Sequence, residues 1–274
     1  MVRKQKTRKR RDHYLPQGYL RGFIDPARTQ EDRPLWHFDI RTKQWDERSP
    51  SEVGHGQGFY DYAGEKVSME PADITFASLE RNYPIVRERL IANTFATWTE
   101  DREFLLSFMQ MMRARSPLFF KQQDEAGRTM QAYRITEVLP DGKTLRVTGP
   151  VPLPEAARRN RIIAEMRAEI KKEAAWMKDF HWALRYTESP LDPVVTTEQP
   201  VLFSGPAATL EEAWQHPDTL IHFPLCWQAS LFGSRLHFEI ETQKFCCEDL
   251  QRLRSQYRES ADVFLISPQR LNNL

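Results

Sequence analysis

The sequence predicts an α+β fold in which helices pack on a mostly antiparallel sheet, with a projecting β-hairpin. Apolar residues recur at helical spacing through much of residues 72–178. Short strand-like runs punctuated by proline dominate the last hundred residues. These two patterns follow one another rather than alternating as βαβ units, which favours an antiparallel sheet over a parallel one. A strand–turn–strand pattern at about 132–149 predicts the hairpin.

Length and composition limit the class of protein. At 274 residues, the chain can bury a substantial core. We expect a basic arm over residues 1–12 and a single α+β domain over 13–274. The longest apolar runs fall well short of the roughly 20 residues of a membrane helix, and no apolar segment follows the N-terminal charges as in a secretory signal. Three cysteines make neither a disulfide framework nor a zinc spacing. We expect a cytoplasmic protein without a membrane partner, and the oligomeric state stays open.

The net charge of +1 conceals a strong asymmetry. Seven basic residues lie in the first eleven positions: Arg3, Lys4, Lys6, Arg8, Lys9, Arg10 and Arg11. The remaining chain carries 32 basic and 38 acidic side chains. Such an arm can bind phosphates by releasing counterions, so nucleic acid is a candidate partner. A solvated tail, or one that docks on its own acidic domain, is the alternative.

Behind the arm, residues 13–23 read HYLPQGYLRGF. Proline stiffens this stretch, and its apolar and aromatic residues indicate that the chain enters the folded domain here. His13 opens it with an imidazole, a group that can act as general base, general acid or metal ligand. The alternative is a histidine that bonds the backbone and pins the N-terminal segment.

Residues 35–40 and 43–46 predict a small β-hairpin with aromatic residues packed across the strands. The glycine-rich residues 54–58 lack the Lys-Ser/Thr ending of a phosphate-binding loop. We interpret them as a turn that delivers the aromatic residues 59–62 into the core. His55 is interpreted as a surface-loop histidine, with a functional role as the alternative.

Two helices are predicted over residues 72–92 and 100–115. Pro84 lies inside the first and should kink it or divide it into two shorter helices. Thr97 and Glu100 match a capping box at the start of the second, and Ser116-Pro117 should end it. The buried face of the second helix is expected to comprise Leu105, Phe108, Met109 and Met112.

The rest of the chain predicts a third long helix and a strand-rich end. Residues 155–178 are rich in Ala, Glu, Arg and Lys, and we interpret their charged face as solvated and salt-bridged rather than as a polyanion surface. Strands are expected within 180–186, 193–202, 219–225, 229–232 and 262–266. A final helix is expected at about 246–258.

High-specificity catalytic motifs such as GxSxG, GxxxxGK[ST], HExxH and CxxC do not occur. The candidate catalytic residues are His13, Glu80, Arg113 and Glu198. The two carboxylates could act as bases or metal ligands, and a guanidinium at a helix end could clamp a phosphate. Candidate binding residues are Gln17, Arg115, Thr196 and Gln199, with Arg8, Lys9, Arg10 and Arg11 of the arm. The alternatives are capping or an ion pair to Glu80 for the arginines, and a turn before Pro200 for Glu198.

These spaced motifs resemble those of the bacterial "domain of unknown function 4238" family. The resemblance rests on residues 13–23, on Phe59-Tyr60, on Leu79-Glu80, on the run from Arg113 to Pro117, on residues 196–201 (TTEQPV) and on residues 223–227 (FPLCW). Two departures occur. Glu198-Gln199 stands where the family has Asp-Asn, and Cys226-Trp227 where it has Ser-Pro. The resemblance implies no established activity, but it supports treating His13, Glu80, Arg113 and Glu198 as one set.

Together these features favour an enzyme that acts on nucleic acid, most plausibly a phosphodiester hydrolase (a nuclease). The cofactor is unknown, and a divalent metal ion is compatible with the two carboxylates. Such an activity would suit a bacterial antiphage-defence or toxin effector. Two alternatives stay open: a non-catalytic module that binds nucleic acid or protein, and a hydrolase of a small phosphorylated metabolite, which would need a closed pocket.

Overall fold

A computed structural model of the chain describes residues 11–28, 35–57, 72–93, 95–138, 145–206 and 210–271. The helices are α1 Gln17–Leu20, α2 Ala72–Ala92, α3 Trp98–Ala114, α4 Pro117–Arg128, α5 Glu155–Trp176, α6 Leu210–Gln215 and α7 Cys247–Ser260. The strands are β1 Arg11–His13, β2 Leu35–Asp39, β3 Gln44–Arg48, β4 His55–Gln57, β5 Gln131–Val138, β6 Leu145–Pro152, β7 His181–Tyr186, β8 Thr196–Thr197, β9 Leu202–Ser204, β10 Leu220–Cys226, β11 Ala229–Ser234, β12 Thr242–Lys244 and β13 Phe264–Ser267. The predicted α+β class is confirmed.

The strands form four sheets in the described part of the chain. The largest has the order β12-β7-β11-β10-β9, antiparallel except for the parallel pair β12–β7. A four-stranded antiparallel sheet has the order β3-β2-β13-β8. The pairs β1–β4 and β5–β6 stand as separate two-stranded sheets. Antiparallel pairing therefore dominates, as the sequence predicts.

The five-stranded sheet is covered on both faces. Ile221, Phe223 and Leu231 belong to the larger hydrophobic cluster, the first core. This cluster also contains residues of α1, α2, α3 and α5. The opposite face carries His222 and Phe232, which pair across β10 and β11. Beneath α7, residues such as Leu253 and Tyr257 belong to a second cluster, the second core. Successive residues of a strand point to opposite faces, so β10 contacts both layers.

The predicted helices are confirmed, with two local corrections. α2 runs without interruption through Pro84, so the predicted division into two helices is wrong. Thr97 does occupy the N-cap position of α3, but its side chain caps no backbone N–H. It donates instead to Asp101 over 2.8 Å, so the predicted capping box with Glu100 does not form.

Ser116-Pro117 ends α3 and also begins α4, a helix that was not predicted. The Ser116 hydroxyl accepts a hydrogen bond from the backbone N–H of Phe119 at 3.1 Å. Pro117 takes the first helical position, where its missing N–H leaves no intrahelical bond unmade. Serine before proline was therefore a helix start signal as well as a stop signal.

Both predicted hairpins form. In β2–β3, Phe38 pairs with Trp45 and their ring centroids lie 5.1 Å apart, as expected for cross-strand aromatic packing. The pair β5–β6 matches the strand pattern of residues 132–149, and its connection at 139–144 lies outside the described residues. That this hairpin projects from the body is not confirmed and stays a prediction.

β7, β10, β11, β13 and α7 agree with their predicted positions, but α6 and β12 were not predicted. The strand expected over 193–202 is largely irregular: only Thr196–Thr197 form β8, and Leu202 begins β9. Near the glycine-rich stretch, residues 55–57 form β4, a strand rather than part of a turn. The aromatic residues 59–62 lie outside the described residues. No helix among the described residues has the length and apolar character that crossing a membrane requires.

Gly54 holds the turn that brings β4 beside the N-terminal segment. Its φ of +65° falls in the left-handed region, and its carbonyl accepts from the N–H groups of Tyr14 at 2.8 Å and Leu15 at 3.1 Å. A Cβ at this position would lie 2.6 Å from the Cβ of Leu15. Both the backbone conformation and the close approach therefore require glycine.

We expect Gly54→Ala to lower the free energy of unfolding by about 1–3 kcal/mol, because alanine disfavours positive φ and its Cβ meets Leu15. Urea denaturation measures the change. Gly127→Ala is the control, since its Cβ would meet only the flexible side chain of Arg158, at 3.2 Å. Equal losses in the two variants would contradict the role given to Gly54.

Candidate functional site

The N-terminal candidate site begins with two histidines on neighbouring strands. His13 and His55 are opposite each other in the β1–β4 pair. Their ring centroids are 5.7 Å apart and their planes meet at 73°. Both side chains are partly exposed, and the Nε2 of His13 lies 3.4 Å from the carbonyl oxygen of Ser51. The antiparallel register, rather than proximity in sequence, brings the two imidazoles together.

A buried guanidinium lies behind this pair. Arg115 donates one hydrogen bond to the backbone carbonyl of His13 and another to the carboxylate of Glu80. Its guanidinium also lies 4.9 Å from the ring centroid of Phe76. Arg115 is only 3% exposed, and its charge is paired with the carboxylate of Glu80. The contact therefore ties β1 to α2 and α3.

Arg113 lies two residues away and points elsewhere. Residues separated by two positions on a helix differ by about 200° in direction. The Arg113 guanidinium lies 6.0 Å from the ring centroid of Phe119 and interacts electrostatically with Glu169. Burial lowers the pKa of Arg113 to about 10, and the Glu169 carboxylate opposes that shift. Arg115 rather than Arg113 therefore stands beside Glu80 and His13.

Glu198 lies in a different place, at the end of β8. Its Oε1 accepts from the backbone N–H groups of Asp262 at 2.5 Å and Val263 at 3.2 Å, and its Oε2 accepts from Phe264 at 3.2 Å. The residue is fully buried. Burial raises the pKa of Glu198, and these backbone hydrogen bonds oppose the shift. The carboxylate joins β8 to the start of β13.

The candidate binding residues are distributed in the same way. The Thr196 hydroxyl is fully buried and lies 2.7 Å from the hydroxyl of Tyr19. Gln199 donates its backbone N–H to the Thr197 hydroxyl at 3.0 Å. Gln17 is the first residue of α1 and is partly exposed. Arg8, Lys9 and Arg10 lie outside the described residues, as does the side chain of Arg11.

The four predicted catalytic residues thus do not form one cleft. His13 and Glu80 are joined through Arg115, whereas Arg113 faces Phe119 and Glu198 is buried against residues 262–264. Within the described ranges, no group of three or more His, Cys, Asp or Glu side chains is placed to hold a metal ion. The described residues therefore do not fit a divalent-metal site built from Glu80 and Glu198. The two carboxylates lie apart, and each is already bonded within the protein.

A cavity that the sequence pattern does not predict lies between α7 and the outer face of the five-stranded sheet. Its volume is about 280 Å³. The residues of the sheet that line it are Arg185, Ser204, Leu220, His222, Phe232 and Gln243, and Phe245 lines it just after β12. The residues of α7 that line it are Asp249, Arg252, Leu253 and Gln256. A signal was present in β10, where His222 interrupts a run of apolar residues. Only the strand's alternation and the position of α7 reveal the cavity.

His222 is 5% exposed and makes one side-chain hydrogen bond, through Nδ1 to the hydroxyl of Tyr257 at 2.5 Å. That hydroxyl donates to the carbonyl oxygen of Pro200 at 2.9 Å, which uses its only proton. The Nδ1 of His222 must therefore be the donor, and Nε2 carries a lone pair. Nε2 is buried without a hydrogen-bond partner among the described residues. Burial lowers the pKa of His222 to about 3, so the ring is neutral at neutral pH.

Arg115→Met should lower the free energy of unfolding by roughly 2–4 kcal/mol, because it leaves Glu80 and the His13 carbonyl without this donor. Thermal and urea unfolding would measure the loss. Arg128→Met provides the control: its ion pair with Asp124 at 2.9 Å lies on the surface, where such pairs contribute about 0–1 kcal/mol. Similar stability of the two variants would show that the buried contact is dispensable.

His222 should make folding sensitive to mild acid. Its folded-state pKa is lowered to about 3, so its contribution is fully present above the unfolded pKa of about 6.5 and is lost as the pH falls toward 3. Between pH 7 and pH 5 the loss should reach about 2 kcal/mol. His222→Asn keeps an N–H donor for Tyr257 but cannot titrate, and should show a flatter stability profile over this range. His216→Asn, at a partly exposed histidine, should keep the wild-type slope, and an unchanged slope in His222→Asn would contradict the assignment.

Comparisons with known proteins place the chain in a family. The family described as "Protein of unknown function (DUF4238)" matches residues 11–249. No curated protein matches the chain, and no solved structure matches it. The matched range includes the N-terminal histidine pair, the Arg115 contact and the segment around Glu198. Because the match covers most of its length, the chain belongs to the DUF4238 family of proteins of unknown function.

Proposed function

We propose that the protein acts on nucleic acid as a phosphodiester hydrolase, with RNA as the favoured substrate. The observation that carries the proposal is the pair of partly exposed imidazoles, His13 and His55, 5.7 Å apart on β1 and β4. The seven basic residues that precede or begin β1 lie immediately before His13 in the chain, and His13 pairs with His55. A polyanion held by the arm would therefore be delivered to the two histidines.

Paired imidazoles suit this reaction because one can accept a proton while the other donates one. In RNA, one imidazole would remove the proton of the 2′-hydroxyl as its oxygen attacks the neighbouring phosphorus. The other, in its protonated form, would give a proton to the departing 5′-oxygen. The products are a 2′,3′-cyclic phosphate and a free 5′-hydroxyl. No metal ion enters these steps.

Arg115 and Glu80 would serve this site by positioning it. The Arg115 guanidinium donates to the His13 carbonyl, and the Glu80 carboxylate compensates the buried positive charge of this guanidinium. Because Arg115 is buried and already bonded, we assign it to holding β1 rather than to clamping a phosphate. Glu198 and Arg113 take no part in the proposed chemistry.

A non-catalytic nucleic-acid-binding module is the second candidate. It is favoured by the contacts of Glu80 and Glu198, since both carboxylates are already used to hold chain segments in place. In that function the basic arm supplies the affinity, and His13 and His55 contribute to fold and surface rather than to proton transfer.

The experiment incubates purified protein with end-labelled RNA and DNA oligonucleotides, in EDTA and separately in Mg²⁺ or Mn²⁺. We expect RNA cleavage that persists in EDTA. His13→Ala and His55→Ala should each lower the rate by about 100-fold or more, the usual contribution of acid–base catalysis. His216→Ala, at a partly exposed histidine in another part of the chain, should leave the rate unchanged.

Circular dichroism of each variant shows whether a lost activity reflects a lost fold. Salt-dependent binding of RNA without cleavage would favour the binding module. Cleavage that both histidine variants retain would overturn the assignment of His13 and His55, and the absence of both binding and cleavage would overturn the two candidates together.

A further inference from the structure

We propose that the cavity between α7 and the five-stranded sheet binds a small organic anion that carries an aromatic or similarly flat body and one hydrogen-bond donor. The observations that carry the proposal are the buried, unpartnered acceptor of His222 and a cationic side chain at the same cavity. The proposal concerns a different part of the molecule from the histidine pair, and neither depends on the other.

The walls set the size and shape of the ligand. A volume of about 280 Å³ is near the lower end of the range for small-molecule sites. Phe232 on the sheet and Leu253 on α7 supply apolar surface from the two sides, and Phe245 adds a second aromatic ring. Such walls favour a flat apolar body about the size of one substituted ring.

The unpartnered Nε2 acceptor of His222 determines which hydrogen-bonding group the ligand must carry. His222 lines the cavity, and its Nδ1 is committed to Tyr257. Nε2 then holds a lone pair with no partner among the described residues, a costly arrangement for a buried polar atom. A ligand hydroxyl or amide N–H can satisfy this nitrogen when the side chains that cover it shift aside, since less than 1 Å² of the Nε2 surface is exposed. The neutral state of the ring at neutral pH keeps the lone pair available.

The charges set the sign of the ligand. Arg185 and Arg252 both line the cavity, together with the single carboxylate of Asp249. Asp249 interacts with Arg185, whose guanidinium also donates to the Ile240 carbonyl at 3.3 Å. Arg252 has no hydrogen bond or ion pair with another described residue. It is therefore the group best placed to bind a carboxylate or phosphate, while Asp249 compensates Arg185.

The test uses 4-hydroxybenzoate as the probe, because it combines a ring, a carboxylate and a hydroxyl donor. Two analogues remove one feature each: benzoate lacks the donor, and 4-hydroxybenzamide lacks the charge. Titrations followed by ¹H–¹⁵N NMR spectra of the full chain give dissociation constants. They also show the ¹⁵N shift of the His222 ring nitrogens, which responds when Nε2 accepts a hydrogen bond.

We expect saturable binding of 4-hydroxybenzoate, with a shift at the unprotonated ring nitrogen of His222. Arg252→Gln should weaken binding about tenfold, whereas Arg258→Gln, an exposed arginine on the same helix outside the cavity, should not change it. His222→Asn should bring the affinity for 4-hydroxybenzoate down to that for benzoate. It keeps a donor toward Tyr257, and its spectrum reports whether the fold is intact.

Several results would overturn the proposal. The first is the absence of saturable binding to the wild-type protein. The second is an equal loss of affinity in Arg252→Gln and Arg258→Gln, which would indicate general charge attraction. The third is binding of 4-hydroxybenzoate without a change at the His222 ring nitrogens, which would remove His222 from the site.

Discussion

The burial of the Tyr19 hydroxyl is the constraint on which much of the structure depends. A buried hydroxyl needs a hydrogen-bond partner, and Thr196 supplies one at 2.7 Å. Desolvation raises the pKa of Tyr19 well above its ordinary value, so the phenol stays protonated. The same ring stacks on Phe223 with centroids 5.7 Å apart and lies at the same distance from Tyr83. One side chain therefore fixes the N-terminal segment against β8, β10 and α2, three elements that lie far from it in the sequence.

Tyr19 and Arg115 together bring into contact several of the motifs that are spread along the sequence. Residues 13–23 contact the motif at 196–201 through Tyr19 and the motif at 223–227 through the stacked ring of Phe223. Arg115, within the run that ends at Pro117, joins the backbone of His13 to Glu80. The motifs within the described residues are thus neighbours in space, and the polar contacts of Tyr19, Arg115 and Glu198 hold these segments together. The partly exposed imidazole of His13 differs from them, which is why the proposed chemistry is assigned to it.

The fold was largely predictable from the sequence, while the arrangement of the candidate site was not. Helical spacing located α2, α3 and α5, and proline-punctuated runs located β7, β10 and β13, because these signals are local. The partner of Glu80 was harder to predict: Arg113 and Arg115 are both near the end of one helix, and only the direction of α3 relative to α2 selects Arg115. Glu198 was predicted as a candidate catalytic carboxylate at a strand end. Three backbone N–H groups 64 to 66 residues away bind it instead. His222 and its cavity depend on contacts between β10 and α7, which no local pattern contains.

The alternation of β10 links the two halves of the hydrophobic interior. Ile221, Phe223 and Leu225 lie in the first core, while the intervening His222 contacts Phe232 and Tyr257 on the α7 side. Moving β10 away from one layer would also expose the side chains that face the other layer. A shift of register by one residue would exchange the two sets of side chains. The layers should consequently lose their structure in one cooperative transition rather than in sequence. A ligand bound beneath α7 would then stabilise the distant N-terminal segment as well, because both belong to the same unfolding unit.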